Sequence, residues 1–578
     1  MYYKCKVEIP KIKGKIYQKE KNGTVYVEFE YDRKYVPEKR YNIPYRTTIG
    51  KACPDEPEMM FPNANYLKYF PDAVLPEIEA RAARSSCLRI GASLIVQKII
   101  SDYGLDDMLK RIVGRDWGLF MDLVAYSIIS ENNAAQHYPE YAYNHPLLTE
   151  GMKAYSDTKV SDFLKDIGDG RHVDFLNEWN GTRDHTERIY ITYDSTNKRC
   201  QAGDIEIAEY GRPKDGGDKP VFNFSVAYDH GNREPLFYED YPGSIVDVSQ
   251  LTLMLGKAEG YGYRNAGFIL DRGYFSAANI RFMDRNGYEF VIMVKGMKNL
   301  VSGLIMENKG TFEEIRSQTI RRYRVSGKTV KARLFPTDGK ERYFHIYYSA
   351  SKYASEREVL EADVDRMAKT LKKAEGKKVE FDSIYGKYFD LIYHGEGDDK
   401  TFLCGMELSD AVERRVKLCG YFAIVTSEEM TAADAIHLYK SRDASEKLFR
   451  GDKSFLGQNC LRVHSDESAE GKIFVEFVAL IIRNRIYTSL QDELVNYENR
   501  PNYFTVPAAL RELQKIEMIR LYDGAYRLDH AVTSAQKNIL KAFGVDEQWI
   551  KKKAKGISGA LLSAPAIGSE KNAKSKKL

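Results

Sequence analysis

The sequence predicts an α/β protein in which a mixed sheet carries helices on its faces, with a β-rich segment and a helical domain ahead of it. Three observations carry that expectation. From Tyr190 onward the pattern runs three strands, helix, strand, helix, strand, as hairpin strands followed by βαβ units do. Before it, over 75–185, apolar residues recur near a 3.6-residue period. After it, over 297–430, short strand-like runs surround one charged helix, which reads as a β-rich insertion.

The first 74 residues alternate apolar and basic runs, GKIYQ, GTVYVEFEYDR and KRYNIPYRTTIG, and Asn22-Gly23 is a hairpin signal between two of them. Lys34, Tyr35, Lys39, Arg40, Tyr41, Tyr45 and Arg46 interleave charge and rings. Such a ribbon suits DNA contact, and the solvated face of a small sheet fits it equally well. In 75–185, ASLIVQKIISDYGLDDMLKRIVG and WGLFMDLVAYSIIS are the helical runs.

The core strands are RIYITYDST, PVFNFSVAYDH, PLFYEDYPG, AGFILD and YEFVIMVKG, within 186–296. Its helices are VSQLTLMLGKAEGYG and SAANIRFMDRNG, the second with Ser276 as N-cap. Helices resume over 431–500, and a C-terminal region over 501–578 ends in a Lys-rich tail.

Composition sets limits on the class. The 578 residues are 43% hydrophobic and 29% charged, as in globular proteins. The longest apolar stretch, Phe474 to Ile482, contains Glu476 and is far shorter than the roughly 20 residues of a membrane span. The N-terminus has no apolar core of a signal peptide, so a cytoplasmic protein is expected. The seven cysteines form no CxxC pair, which fits reduced thiols. A net charge of +4 permits nucleic-acid binding without arguing for it.

Two acids stand out by position. Asp194 follows the apolar run YITY and precedes Ser195-Thr196-Asn197; Asp271 closes FIL and precedes Arg272-Gly273. Carboxylates at the ends of adjacent strands project side by side, although an Asp at a strand end also commonly starts a turn or caps a helix. A third group lies in HLYKSRDASEKLFRGDKSFL, where Tyr439, Arg442, Glu446 and Lys453 stand at offsets 0, 3, 7 and 14. On one helix they share a stripe about 60° wide. A carboxylate, guanidinium, ammonium and phenol on one face suit phosphate chemistry. A solvated helix with i,i+4 ion pairs remains open on spacing alone.

Asp194, Asp271 and the Tyr-x2-Arg-x3-Glu-x6-Lys arrangement resemble the signature of bacterial insertion-sequence DDE transposases, the group marked by those four residues. The resemblance covers roughly Tyr190 to Tyr487 and includes the β-rich insertion between the second Asp and the Glu. It implies an RNase H-like catalytic core formed by 186–296 and 431–500. It also implies a metal triad of Asp194, Asp271 and Glu446, with Asp194 shared between two Mg²⁺ ions and Mn²⁺ as a substitute. Arg442 and Lys453 are expected to position the phosphates of the cut strand, and Tyr439 to contact a nearby one.

Two ions about 3.5–4 Å apart activate one oxygen and stabilise the other in phosphodiester cleavage. Mg²⁺ takes oxygen ligands, so no His or Cys cage is expected. The implied partners are double-stranded DNA, as terminal inverted repeats and as target, with a dimer on DNA and a nucleoid-associated location. The implied activity is cleavage at the element's ends followed by strand transfer. An RNase H-like nuclease that cuts without joining, and a non-catalytic DNA-binding descendant, are the alternatives.

Overall fold

A computed structural model gives the structure of the chain. It describes residues 2–563 except 4, 22, 38–39, 55, 74, 76–83, 185–187, 201–204, 211–219, 246, 295–296, 396 and 443–459. The chain forms two compact units: Met1–Glu178 with Cys200–Ile205 and Arg450–Leu578, and Trp179–Arg199 with Glu206–Phe449.

The first unit opens with strands β1 (Val7–Glu8), β2 (Ile16–Lys21), β3 (Thr24–Val36), β4 (Tyr41–Ala52) and β5 (Met59–Pro62). They form an antiparallel sheet in the order β1-β5-β4-β3-β2. β2 and β3 close where Lys21 faces Thr24, at the expected hairpin. Val7, Val27, Ile49 and Met60 form its core with Tyr66 of α1 (Ala64–Tyr69). A short strand β6 (Cys87–Arg89) precedes α2 (Gly91–Asp102), α3 (Leu105–Ile112), α4 (Trp117–Ser130), α5 (Tyr138–Asn144), α6 (Asp157–Asp166) and α7 (Arg171–Gly181).

The helical segment does not close on itself. The 29-residue helix Asp466–Leu494, far along the chain, packs against α4 and α6. Every residue from Gly471 to Asn484 is buried, and a helix buried on every face needs cover all round. Gly471 permits the close crossing: a Cβ there would lie 2.0 Å from the Leu164 carbonyl oxygen of α6. The 431–500 segment expected as one group of core helices is therefore split between the two units.

The second unit is built on one sheet. β7 (Ile189–Cys200), β8 (Val221–Asp229) and β9 (Glu234–Pro242) form an antiparallel meander, followed by α8 (Asp247–Gly260). β10 (Ala266–Leu270) returns parallel to β7, and after α9 (Ala277–Arg285), β11 (Glu289–Met293) lies parallel to β10. Ser276 caps α9 as expected, accepting the Asn279 N–H at 3.1 Å. β8 and β10 are buried along their whole length.

The 297–430 segment contains α10 (Lys298–Asn308), β12 (Thr319–Ile320), β13 (Val325–Arg333), β14 (Glu341–Tyr348) and α11 (Ala350–Ala374). It continues with β15 (Phe389–His394), β16 (Thr401–Glu407), α12 (Ser409–Val416) and β17 (Tyr421–Thr426). Four of these six strands extend the core sheet. β17 pairs antiparallel with β11, β14 with β17 and β13 with β14, giving the order β9-β8-β7-β10-β11-β17-β14-β13-β12. The β15–β16 hairpin with α11 forms its own cluster, around Leu360, Leu371, Phe389 and Phe402.

His345 of β14 is fully buried, with Nδ1 2.9 Å from Thr329 Oγ1 and Nε2 2.9 Å from Thr426 Oγ1. Burial pushes its imidazole down to about 4. Between pH 6.5 and 4 the unfolded chain therefore binds a proton that the folded protein does not. Stability from this site is present above pH 6.5 and is lost as pH falls, by roughly 3 kcal/mol at the bottom of the window. His345→Gln is expected to flatten this part of the stability–pH curve in urea unfolding. An unchanged slope would assign the titration to another group.

Candidate active site

Asp194 does not end its strand. β7 runs on to Cys200, and Asp194, Ser195, Thr196 and Asn197 pair with Val226, Ser225, Phe224 and Asn223 of β8. What ends near Asp194 is the parallel ladder on its other side. The last β7–β10 pair is Tyr193 with Leu270, so Asp194 and Asp271 occupy the next position on two neighbouring strands. Such strands lie about 4.8 Å apart, and residues at one register position point to the same face. Asp271 keeps an extended backbone (φ −69°, ψ 156°) before the turn Arg272–Tyr274.

The face is fixed by its neighbours. Counting back by twos, Tyr190 and Thr192 share the side of Asp194, while Gly267 and Ile269 share that of Asp271. The Tyr190 ring crosses Gly267, where a Cβ would lie 2.6 Å from it. Ile269 and Tyr190 belong to the core under α13 (Ala432–Lys440), together with Val291, Ile436 and Tyr439. Both carboxylates thus stand on the face that α13 covers.

α13 begins at Thr431, whose hydroxyl accepts the Asp434 N–H, and ends at Lys440 with Ser441 as C-cap. Arg442 lies in the following turn, so it and Tyr439 are not on one continuous helix as the spacing suggests. The turn nevertheless brings both to the site. Arg442 Nη1 lies 2.7 Å from Asp271 Oδ1, and its guanidinium is 5.4 Å from the Tyr439 ring. Tyr439 is buried in the core beneath it.

Asp271 Oδ1 also accepts the Arg272 N–H at 2.7 Å, and Asp194 Oδ1 the Ser195 N–H at 2.9 Å. The Arg442–Asp271 pair has no counterpart in the sequence pattern, which relates Arg442 to its own helix and not to a strand 171 residues earlier. Glu446 and Lys453 lie outside the described residues.

The family model of the transposase DDE domain matches residues 187–482. The chain belongs to this family. The matched span takes in both aspartates, Tyr439, Arg442, Glu446 and Lys453. No curated protein matches the chain. Among solved structures, the cryo-EM structure of a piggyBac transposase synaptic complex with hairpin DNA is similar with a TM-score of 0.33 and 10% identity. The match covers 84% of this chain and 82% of that one, and at that score it adds nothing to the assignment.

In this DDE transposase, Asp194 and Asp271 offer oxygen donors from adjoining positions, the ligand type that Mg²⁺ takes while keeping several waters. Among the described residues no cluster of three or more His, Cys, Asp or Glu suited to a metal is present. Among the same residues no helix is long and apolar enough to cross a membrane.

Proposed function

We propose that this transposase is of the bacterial insertion-sequence type, with an RNase H-like core that cuts DNA at the element's ends and joins them to target DNA. The observation that carries this reading is the placement of Asp194 and Asp271 at the end of the parallel β7–β10 ladder, with Arg442 held against Asp271. The strand order β9-β8-β7-β10-β11, with helices between the later strands, supports the RNase H-like assignment. The Tyr439, Arg442, Glu446 and Lys453 spacing supports the insertion-sequence group.

Asp194, Asp271 and Glu446 would hold two Mg²⁺ ions. The ions supply an activated oxygen nucleophile and a stabilised leaving oxygen when bound. The protein's own groups do the placing. The β7–β10 ladder fixes the separation of the two aspartates, and Tyr439 packs below Arg442 so that the guanidinium stays at the carboxylate edge. From there Arg442, with Lys453, would take a phosphate of the cut strand through charge-assisted hydrogen bonds. Two ends cut in concert imply a dimer on double-stranded DNA, in a nucleoid-associated, cytoplasmic setting.

The test is strand transfer. Protein, Mg²⁺ and a labelled duplex carrying the element's own terminal repeats are incubated with plasmid target. Label joined to the plasmid is expected. Cut ends without joined product would replace this reading with a nuclease.

A further inference from the structure

We propose that the distal half of the β3–β4 hairpin is a DNA-binding arm that lies in a groove of duplex DNA. The transposase reading supplies the partner's identity; the surface itself is argued from the ribbon. β2 pairs with β3 only from Thr24 to Phe29, and β5 pairs with β4 only from Gly50 to Ala52. Among the described residues no third strand pairs with β3 or β4 beyond those points, and the two pair with each other through Asp32–Tyr45, Arg33–Pro44, Lys34–Ile43, Tyr35–Asn42 and Val36–Tyr41. Five residues on each strand give an arm about 17 Å long.

Both faces of the arm are open. Arg33, Lys34, Tyr35, Tyr41, Asn42 and Tyr45 are all exposed, Tyr35 at 56% and Tyr41 at 53%. A two-stranded ribbon covered on neither side is marginal alone, and large exposed rings on it mark a surface made for contact. Its base is braced. Buried Glu30 accepts hydrogen bonds from Arg33 and, at 3.2 Å, from Arg46, beside a bulge between Glu30 and Asp32. Tyr31 stacks on Tyr69 of α1, with ring centroids 5.1 Å apart.

Charge agrees with that partner. With Glu30 included, residues 30–46 hold five basic and three acidic side chains, a net +2 in a 578-residue chain whose total is +4. That concentration fits a polyanion. The width fits duplex DNA, whose major groove admits a two-stranded ribbon, whereas the deep, narrow major groove of duplex RNA does not. A second copy of the chain adding a strand to the arm is disfavoured by Pro44 and the charged residues on its open edges.

The experiment uses the full chain without metal, so loss of catalysis has no bearing on its outcome. Binding of a fluorescent duplex is followed by anisotropy across a salt series for the parent, Lys34→Ala/Arg40→Ala and Tyr35→Ala/Tyr41→Ala. Circular dichroism and Tm confirm that each variant is folded, as these side chains are exposed. Removing two phosphate contacts should reduce the slope of log K against log salt by roughly 1.8. Between 50 and 200 mM salt, the double variant should then lose about tenfold less affinity than the parent. The tyrosine pair should weaken binding at an unchanged slope.

Parent-like slope and affinity in both variants would overturn the proposal. So would equal competition by duplex RNA, or a change of oligomeric state in sedimentation with DNA binding intact, which would make the arm a contact between copies.

Discussion

Asp194→Ala, Asp271→Ala and Glu446→Ala are each expected to lower Mg²⁺-dependent cleavage of the element's ends by about 10³-fold or more. A catalytic ion contributes several kcal/mol to the transition state, and each 1.4 kcal/mol or so is a factor of ten in rate. Asp271 allows folding and chemistry to be separated. Its Oδ1 caps the Arg272–Tyr274 turn by accepting the Arg272 N–H, so alanine costs about 1 kcal/mol of stability as well. Asp271→Asn keeps an oxygen for that bond and loses the charge. It should fold like the parent and still fail to cut. Glu429→Ala, at a carboxylate 75% exposed, should cut at the parent rate. If Asp271→Asn cuts at the parent rate, the aspartate does not hold an ion.

The parts of the fold that were legible before the structure are those with a local period. Each strand from β7 to β11 and both helices between them lie where alternation, apolar runs and the Ser276 cap place them. Asp194 shows where local pattern misleads. Ser195-Thr196-Asn197-Lys198-Arg199 is polar enough to read as a turn, yet it is a strand whose polar groups meet partners on β8. Asn197 donates to Asn223 Oδ1 at 2.6 Å, for example. The 297–430 segment shows a second limit. Strands such as RYFHIYYS and YFAIVTS are visible in sequence, but nothing local says that the second, besides pairing with the first, also adds to the edge of β11. The stop of α13 at Lys440 is a third, since neither Gly nor Pro marks it. At the candidate site it is the pairings that sequence does not show, the Arg442–Asp271 contact among them.

Arg442→Ala is expected to split two quantities that a purely structural residue would move together. The Arg442 guanidinium lies 2.7 Å from Asp271 Oδ1 and is largely buried, so it occupies the place of a cation beside that carboxylate. Removing it should lower the Mg²⁺ concentration that gives half-maximal cleavage, because Asp271 no longer has a competing positive charge. At saturating Mg²⁺ the rate should nonetheless fall by about 10- to 100-fold. A hydrogen bond to a charged group contributes about 1.5–3 kcal/mol, and the scissile phosphate would lose one. Arg442→Lys keeps the charge without the planar fork that grips phosphate oxygens in pairs. It should restore the parent's Mg²⁺ requirement and only part of its rate. A fall in rate with the Mg²⁺ requirement unchanged in the alanine variant would mean that Arg442 acts on DNA alone. In that case its contact with Asp271 only parks the side chain until DNA arrives.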